Sequence, residues 1–448
     1  MKRIIDYFLL QWKFDPLRKP LLMRGARQVG KTYSIRQLGK TYQDFVEINL
    51  ELMADARLVF EKDLQPDRIV RELSLLVGKR IVAGKTLLFL DEIQVAPMAI
   101  TALRYFYELL PELHVIAAGS LLDFAIEQVG MPVGRVQSLY MYPVSFVEYL
   151  AAINQHMFIN EILRHDSSTE ISSVIHDKLL GLLGEYIALG GMPHSLHCWI
   201  QKKDALGCAT IHTSLLDTYR QDFGKYARNL QVKYVALLFD QIPLQMGRKF
   251  KYSLIDGEYR KRELAPALDL LVMAGVAHKV YYTAAGGLPL GAQIDPQDYR
   301  AIFLDVGLAQ SVLQLDIAGW FLQPLREYVN KGALVEAFVG QEMLAYAAPH
   351  TRNNLYYWHK ESAAATAEID YIVQRQGSVV PVEVKSGSGK TLKSMQSFLG
   401  THTSSPYGIR FSTNNYSIYN NIYSYPLYAI AKSVSDEYPE VRAAIENL

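Results

Sequence analysis

The chain has 448 residues, half of them hydrophobic, and its 46 Lys and Arg nearly cancel 45 Asp and Glu, leaving a net charge of +1. At about 150 residues per domain this length implies roughly three cores, and the charge balance excludes a globally basic nucleic-acid coat, so any polyanion surface has to be a local patch. The only cysteines, Cys198 and Cys208, form no C-x-x-C pair, so neither a disulfide framework nor a structural zinc is supported, which fits a reducing compartment.

Met1 to Asp6 is broken by charge before a signal-peptide core can form, and no uncharged apolar stretch reaches about 18 residues. A cytoplasmic protein with no membrane partner is expected. Pro20 to Arg24 predicts a short buried strand. Gly25-Ala26-Arg27-Gln28-Val29-Gly30-Lys31-Thr32 follows it and matches G-x-x-x-x-G-K-[ST] at every fixed position. The glycines let consecutive backbone N–H groups wrap a β-phosphate, the lysine meets β/γ charge, and the hydroxyl holds Mg²⁺. A helix over Thr32 to Leu38 completes the strand, loop and helix context, and ATP with Mg²⁺ is the expected ligand pair.

Further strands are predicted over Phe45 to Leu50, Thr86 to Leu90, His114 to Ser120 and Ser138 to Val144. With helical segments between them they give a doubly wound α/β sheet whose ligands sit at the strand tips. The Thr86 run ends in Asp91-Glu92, where Asp91 suits the metal through its water shell and Glu92 can take a proton from the water attacking the γ-phosphate. Standing alone, such an acidic pair serves equally well as a helix N-cap. Ser120 is placed either to touch the γ-phosphate or the attacking water, or simply to close a turn.

The stretches G-A-R-Q-V-G-K-T, L-F-L-D-E-I-Q, A-A-G-S and P-V-S-F-V-E-Y-L resemble the AAA-type ATPases of bacteria and archaea. The resemblance implies ATP hydrolysis and an arginine after the fourth strand that senses the γ-phosphate, a place matched by Arg135, in cis or in trans. The alternative for Arg135, and for Arg27 within the loop, is a solvated side chain. A helical lid is implied as well, and residues 151–229 turn helical with a break at Gly190-Gly191-Met192-Pro193. Tyr219-Arg220-Gln221-Asp222-Phe223 closes that lid and is expected to pack it rather than face nucleotide.

Between Lys225 and Arg262, nine basic residues (Lys225, Arg228, Lys233, Arg248, Lys249, Lys251, Arg260, Lys261, Arg262) face three acids (Asp240, Asp256, Glu258). A helix from Arg260 to Met273, stopped by Ala274-Gly275 and followed by a strand over Val276 to Tyr282, looks like a winged helix. DNA is the expected partner of this patch, and a connector that contacts protein is the alternative.

Downstream, Ile369 to Val373 and Val379 to Lys385 read as two strands joined through Gln376-Gly377, with Glu383 and Lys385 on the face opposite Val380, Val382 and Val384. Asp370, twelve intervening residues, then Glu383-x-Lys385 resembles restriction-endonuclease-like nucleases. In that chemistry two carboxylates hold Mg²⁺ at the scissile phosphate while the lysine orients or deprotonates water. The resemblance makes Glu336, on a helix over Gly332 to Glu342, a further metal ligand, whereas Glu342 is expected at the surface or facing the lid. An ordinary ion pair on an edge strand is the alternative for Glu383 and Lys385. Tyr416, Tyr419, Tyr423 and Tyr425 are expected to be sheet residues rather than a base-stacking tail.

The fold expected is multidomain α/β: a P-loop AAA-type parallel sheet over 1–150, a helical lid over 151–229, a winged helix over 230–310, and an α/β restriction-endonuclease-like domain over 311–448. The function expected is ATP hydrolysis coupled to metal-dependent DNA cleavage. The alternative is an ATP-driven switch, binding DNA or protein, with a catalytically silent nuclease-like domain. Homo-oligomerisation is left open.

Overall fold

The computed structural model describes every residue except 120, 227–228, 362–365 and 388–391, and the backbone alone at 226, 229–230, 361 and 366. Five strands, β1 (Leu21–Arg24), β2 (Asp44–Asn49), β3 (Thr86–Asp91), β4 (His114–Ala118) and β5 (Gln137–Tyr140), form a parallel sheet in the order β2-β3-β4-β1-β5. Side chains alternate between two cores. Leu21 and Met23 join Phe8, Leu9, Ile35 and Leu38 on one face, while Leu22 joins Leu88, Leu90, Val115, Leu73 and Leu103 on the other. Both faces are covered, which is why these strands read as near-continuous apolar runs. β5 stops three residues after it starts because the chain leaves the sheet at Met141, whose N–H donates to the Arg24 carbonyl at 2.8 Å and closes the mouth of the loop.

Helices Phe146–Ala152, His156–Arg164, Ser173–Leu189, Pro193–Lys202 and Ala205–Tyr226 follow, and Asn229–Leu244 then lies against Lys261–Met273. The remaining strands are β6 (Ala277–Thr283), β7 (Ile294–Phe303), β8 (Leu355–Glu361), β9 (Thr366–Arg375), β10 (Ser378–Lys385), β11 (Gly408–Ser412), β12 (Ser417–Tyr419) and β13 (Ile422–Pro426). They make one eight-stranded sheet in the order β12-β13-β11-β10-β9-β8-β6-β7.

The hairpin of β6 and β7 therefore does not stand free as a wing. β6 pairs in parallel with β8 through Val280 and Leu355, which satisfies its edge backbone within the C-terminal sheet. The boundary expected at residue 310 cuts through this sheet. Helix Gly332–Ala345 packs across it, and the three helix-and-sheet regions share one core that includes Leu183, Phe239, Leu268, Phe338 and Tyr371. The hairpin turn at Gln376-Gly377 has both residues at positive φ, 46° and 76°, the backbone that joins twisted strands in two residues. Tyr416 and Tyr425 are buried within the C-terminal core, and Tyr419 on β12 is exposed. Among the described residues, no helix is long and apolar enough to cross a membrane.

Candidate functional site

The first site is the loop after β1. Gly25 and Gly30 have φ of 138° and 106°, and Gln28 lies at 62°, so the loop needs left-handed backbone at three of its eight positions. A Cβ on Gly25 would overlap the Met141 carbonyl. With the loop so folded, Lys31 at the start of helix Lys31–Gly39 turns inward and donates from Nζ to the carbonyls of Gly25 and Ala26 at 2.9 and 2.7 Å. Burial lowers its pKa to about 8, against the raising effect of Glu92 and Asp91. Among the described residues this buried ammonium is hydrogen-bonded by those two carbonyls, which leaves it poised to receive phosphate oxygens.

The register of β1, β4 and β3 brings Asp91 beside this loop, and Thr32 Oγ1 stands 3.4 Å from Asp91 Oδ2. Burial, then the Glu92 charge, push Asp91 up to about 6, the mark of a carboxylate that lacks sufficient positive charge. A hydroxyl and an underpaired carboxylate at the phosphate end of the loop fit Mg²⁺, which would supply charge neutralisation of the β- and γ-phosphates there. Glu92, with φ of 52°, turns away from the strand direction at its tip. Ser120, the remaining loop-side expectation, lies outside the described residues.

Arg135 is elsewhere. β1 and β5 run parallel with Leu21 opposite Gln137 and Arg24 opposite Tyr140, so a residue two positions before β5 sits at the end of the sheet where β1 begins, away from the loop where β1 ends. There Arg135 Nε binds Glu108 at 2.9 Å, and the arginine is about half exposed. Service to its own phosphate loop is thus excluded by strand direction.

Contacts that sequence reasoning missed tie the loop to its neighbours. Arg3 donates from Nη1 to the Val29 carbonyl at 2.9 Å and from Nε to Glu148 at 2.9 Å. Arg27 pairs with Asp222, and the Tyr219 hydroxyl donates to the Arg27 carbonyl at 2.6 Å, so the lid helix Ala205–Tyr226 both packs its rings and grips the loop. Gly275, at φ 72°, brings the turn before β6 so close that a Cβ would lie 3.3 Å from the Ala26 nitrogen.

The second site lies on the C-terminal sheet. β9 and β10 pair with Tyr371 opposite Val382, which sets Asp370 beside Glu383, and Asp370 Oδ2 accepts from the Val384 N–H at 2.7 Å. Lys385 Nζ meets Glu383 Oε1 at 2.6 Å. Helix Gly332–Ala345 lowers Glu336 onto the same face. In the middle, however, stands a residue the sequence reading did not select. Arg300 of β7 is 2 % exposed, and its guanidinium pairs with Glu336, Glu368 and, at 3.5 Å, Asp370.

Burial opposes the Arg300 charge, but those three carboxylates overcome it and raise its pKa, so the cation persists. Burial raises the carboxyls of Glu336, Asp370 and Glu383, which Arg300 or Lys385 partly offsets. Among the described residues no group of three or more His, Cys, Asp or Glu is arranged to hold a metal ion. The expectation that Glu336, Asp370 and Glu383 ligate Mg²⁺ meets this obstacle: Glu336 and Asp370 already face a guanidinium, and Glu383 faces an ammonium. The donor set does not fit a divalent cation. The available signal was the run Tyr299-Arg300-Ala301-Ile302-Phe303, in which one charged residue interrupts an apolar strand and has to find a buried partner.

Of the two places expected for Glu342, surface or facing the lid, the structure shows the second: the Tyr186 hydroxyl of lid helix Ser173–Leu189 lies 3.5 Å from it. Glu342 is 3 % exposed, accepts from the Phe146 N–H at 3.1 Å and from the Tyr346 hydroxyl, and so caps helix Phe146–Ala152 from another module. Burial pushes it up to about 8.

Residues 17–150 match a family model described as an AAA domain. Residues 180–318 and 331–430 match two domains of unknown function, DUF8612 and DUF4143. No curated protein matches the chain. Among solved structures, an Hsp104–ADP complex of S. cerevisiae is 14% identical over 76% of this chain and 43% of that one, with a TM-score of 0.27. A katanin structure concerned with self-assembly is 11% identical over 60% and 76%, at 0.23, and PCH-2 of C. elegans is 12% identical over 46% and 63%, at 0.23. The chain spans less than half of the Hsp104 chain. Scores this low decide nothing about mechanism. The AAA domain match and the loop geometry together make residues 17–150 an AAA-type P-loop domain with a loop built to bind nucleotide phosphates.

Proposed function

We propose that the protein is an ATP-driven switch in which nucleotide state at the Gly25–Thr32 loop controls a C-terminal module that binds without cutting. The observation that carries this reading is Arg300. Metal-dependent phosphodiester cleavage needs carboxylates free to hold a divalent cation, and here a fixed guanidinium satisfies Glu336, Glu368 and Asp370. In the ATPase site Lys31 and the loop N–H groups bind the phosphates, Thr32 and Asp91 would hold Mg²⁺, and Glu92 accepts the proton of the attacking water.

The proposed partner of the module is DNA. Arg260, Lys261 and Arg262 are exposed at the start of helix Lys261–Met273, as are Lys233 and Lys251, whereas Lys225 and Lys249 are already paired with Glu51 and Asp298. An exposed cluster of this kind contacts phosphates without needing sequence. Arg135, excluded from its own loop, is assigned to the loop of a second copy in a homo-oligomer.

A second reading, a metal-dependent nuclease, is favoured by one observation: helix Gly332–Ala345, the antiparallel strands β8, β9 and β10, helix Lys393–Thr401 and parallel β11 present Glu336, Asp370, Glu383 and Lys385 in the order that such enzymes use. Electrophoretic retention of DNA with a non-hydrolysable ATP analogue separates the readings from a free-standing ATPase. Lys31→Ala is expected to lose nucleotide and DNA binding together, and Glu383→Ala to leave both intact. Retention that ignores nucleotide would sink the switch.

A further inference from the structure

The two cysteines of the chain meet in the lid, apart from the chemistry of either site. Cys198 lies on helix Pro193–Lys202 and Cys208 in the first turn of helix Ala205–Tyr226. Lys203, at φ 52°, reverses the chain between them, and the Gly207 N–H donates to Asp204 Oδ1 at 2.9 Å, which starts the second helix back along the first. Two further contacts set the sulfurs side by side. The Cys208 thiol donates at 3.4 Å to the carbonyl of Ser195, one turn before Cys198 on the same helix. A Cβ on Gly207 would stand 3.3 Å from Cys198 Sγ, so the bare glycine is what lets that sulfur approach the second helix. Burial, then the charge of Cys198, with which it is also hydrogen-bonded, push the Cys208 thiol up to about 11. Access divides the pair: Cys198 is partly exposed, and Cys208 is fully buried.

We propose that Cys198 and Cys208 form a reversible dithiol–disulfide site that is oxidised by hydrogen peroxide, with Cys198 reacting first and Cys208 resolving it. An accessible thiol beside a second one is the arrangement this chemistry needs. The Cys198 thiolate attacks one peroxide oxygen: the S–O bond forms, the O–O bond breaks, and hydroxide leaves with that electron pair and takes up a proton to become water. Cys198 is then a sulfenic acid and carries no charge, which removes part of what held Cys208 protonated. The Cys208 sulfur gives up its proton and attacks the Cys198 sulfur. The S–S bond forms, the S–O bond breaks, and the hydroxyl departs with the proton as a second water. Two thiols and one peroxide thus give one disulfide and two waters, the sulfurs losing the two electrons that the peroxide gains. A thiol reductant restores both thiols by exchange. In a reducing compartment such a bridge is transient and registers oxidant rather than holding the fold. Its position is between the two lid helices that reach the phosphate loop: Pro193 stands 3.8 Å from where a Cβ on Gly30 would lie, and Tyr219 and Asp222 hold Arg27.

The test treats the reduced full chain with hydrogen peroxide, blocks the remaining thiols by alkylation and reads intact and peptide masses. Wild type is expected to lose two hydrogens and to yield one peptide pair joined through Cys198 and Cys208, both reversed by dithiothreitol. Cys208→Ser is expected to stop at a sulfenic acid on Cys198 that dimedone traps, and Cys198→Ser to leave Cys208 unreacted. Because the sulfurs already lie together, the bridged protein should keep its fold and unfold about 2–5 °C higher than the reduced one. No joined peptide pair, a bridge between two chains, a first adduct on Cys208, or an unfolding midpoint that falls on oxidation would each overturn the site.

Discussion

Glu342 and Arg300 are both buried charged side chains, and each leads to a measurable consequence. Glu342 is enclosed by the Phe146 N–H, the hydroxyls of Tyr346 and Tyr186, and the charge of Glu148, and among the described residues no cation is paired to it. Its folded pKa, about 8, exceeds the 4.5 of a free glutamate. A carboxyl raised in this way stabilises the fold fully below the unfolded value, and the contribution is lost as pH rises through the folded one. Between pH 5 and 8 the wild type is therefore expected to lose about 3 kcal/mol relative to Glu342→Gln, read from denaturant unfolding at a series of pH values. Parallel curves for the two proteins would contradict this. Arg300→Ala leaves Glu336, Glu368 and Asp370 without their cation, and unfolding at pH 7 is expected to fall by about 3–5 kcal/mol. Arg300→Lys, which keeps the charge but not the planar fork, should lie between.

At the scale of elements, the phosphate loop is gripped by segments far away in sequence. The lid helix contributes Tyr219 and Asp222, and the turn before β6 contributes Gly275. Gly275→Ala would strain a φ of 72° and press a methyl toward the Ala26 nitrogen, so stability should drop by about 1 kcal/mol and ATP affinity should weaken with it. Unchanged affinity in a titration would mean the turn only brushes the loop. Local patterns made much of this legible in advance: the loop, the helix behind it and the acidic tip of β3 are contiguous stretches with fixed chemistry, and strands buried on both faces announce themselves by apolar runs. The grip itself was not legible, because Arg3, Tyr219 and Gly275 meet the loop only through tertiary packing. The same limit hid the surroundings of Arg300. Sequence order placed Glu336, Asp370, Glu383 and Lys385 together, but nothing local said that β7 would add to the same sheet and deliver a guanidinium among them. Helical periodicity put Glu342 on the face opposite Glu336 and left surface and lid open; it could not say that both faces are covered.

For the whole molecule, one shared core binds the ATPase sheet, the lid and the C-terminal sheet, and a polar path accompanies it. Val29 accepts from Arg3, Arg3 pairs with Glu148, Glu148 holds the N-terminus of helix Phe146–Ala152 through Ser145, and Glu342 caps that same helix end from the helix that bears Glu336. The two sites are thus joined by packed, hydrogen-bonded elements, the kind of connection through which nucleotide state can bias a distant module. What that module does with its bias is the central proposal: it binds without cutting, its carboxylates Glu336, Glu368 and Asp370 being paired with Arg300. The most direct measurement incubates the full-length protein with ATP and linear, branched and single-stranded DNA in Mg²⁺ or Mn²⁺, following ATP turnover and strand scission in the same tube. ATP turnover that Lys31→Ala abolishes, with every DNA substrate left intact, is the result the account predicts; metal-dependent scission that Lys385→Ala abolishes would contradict it.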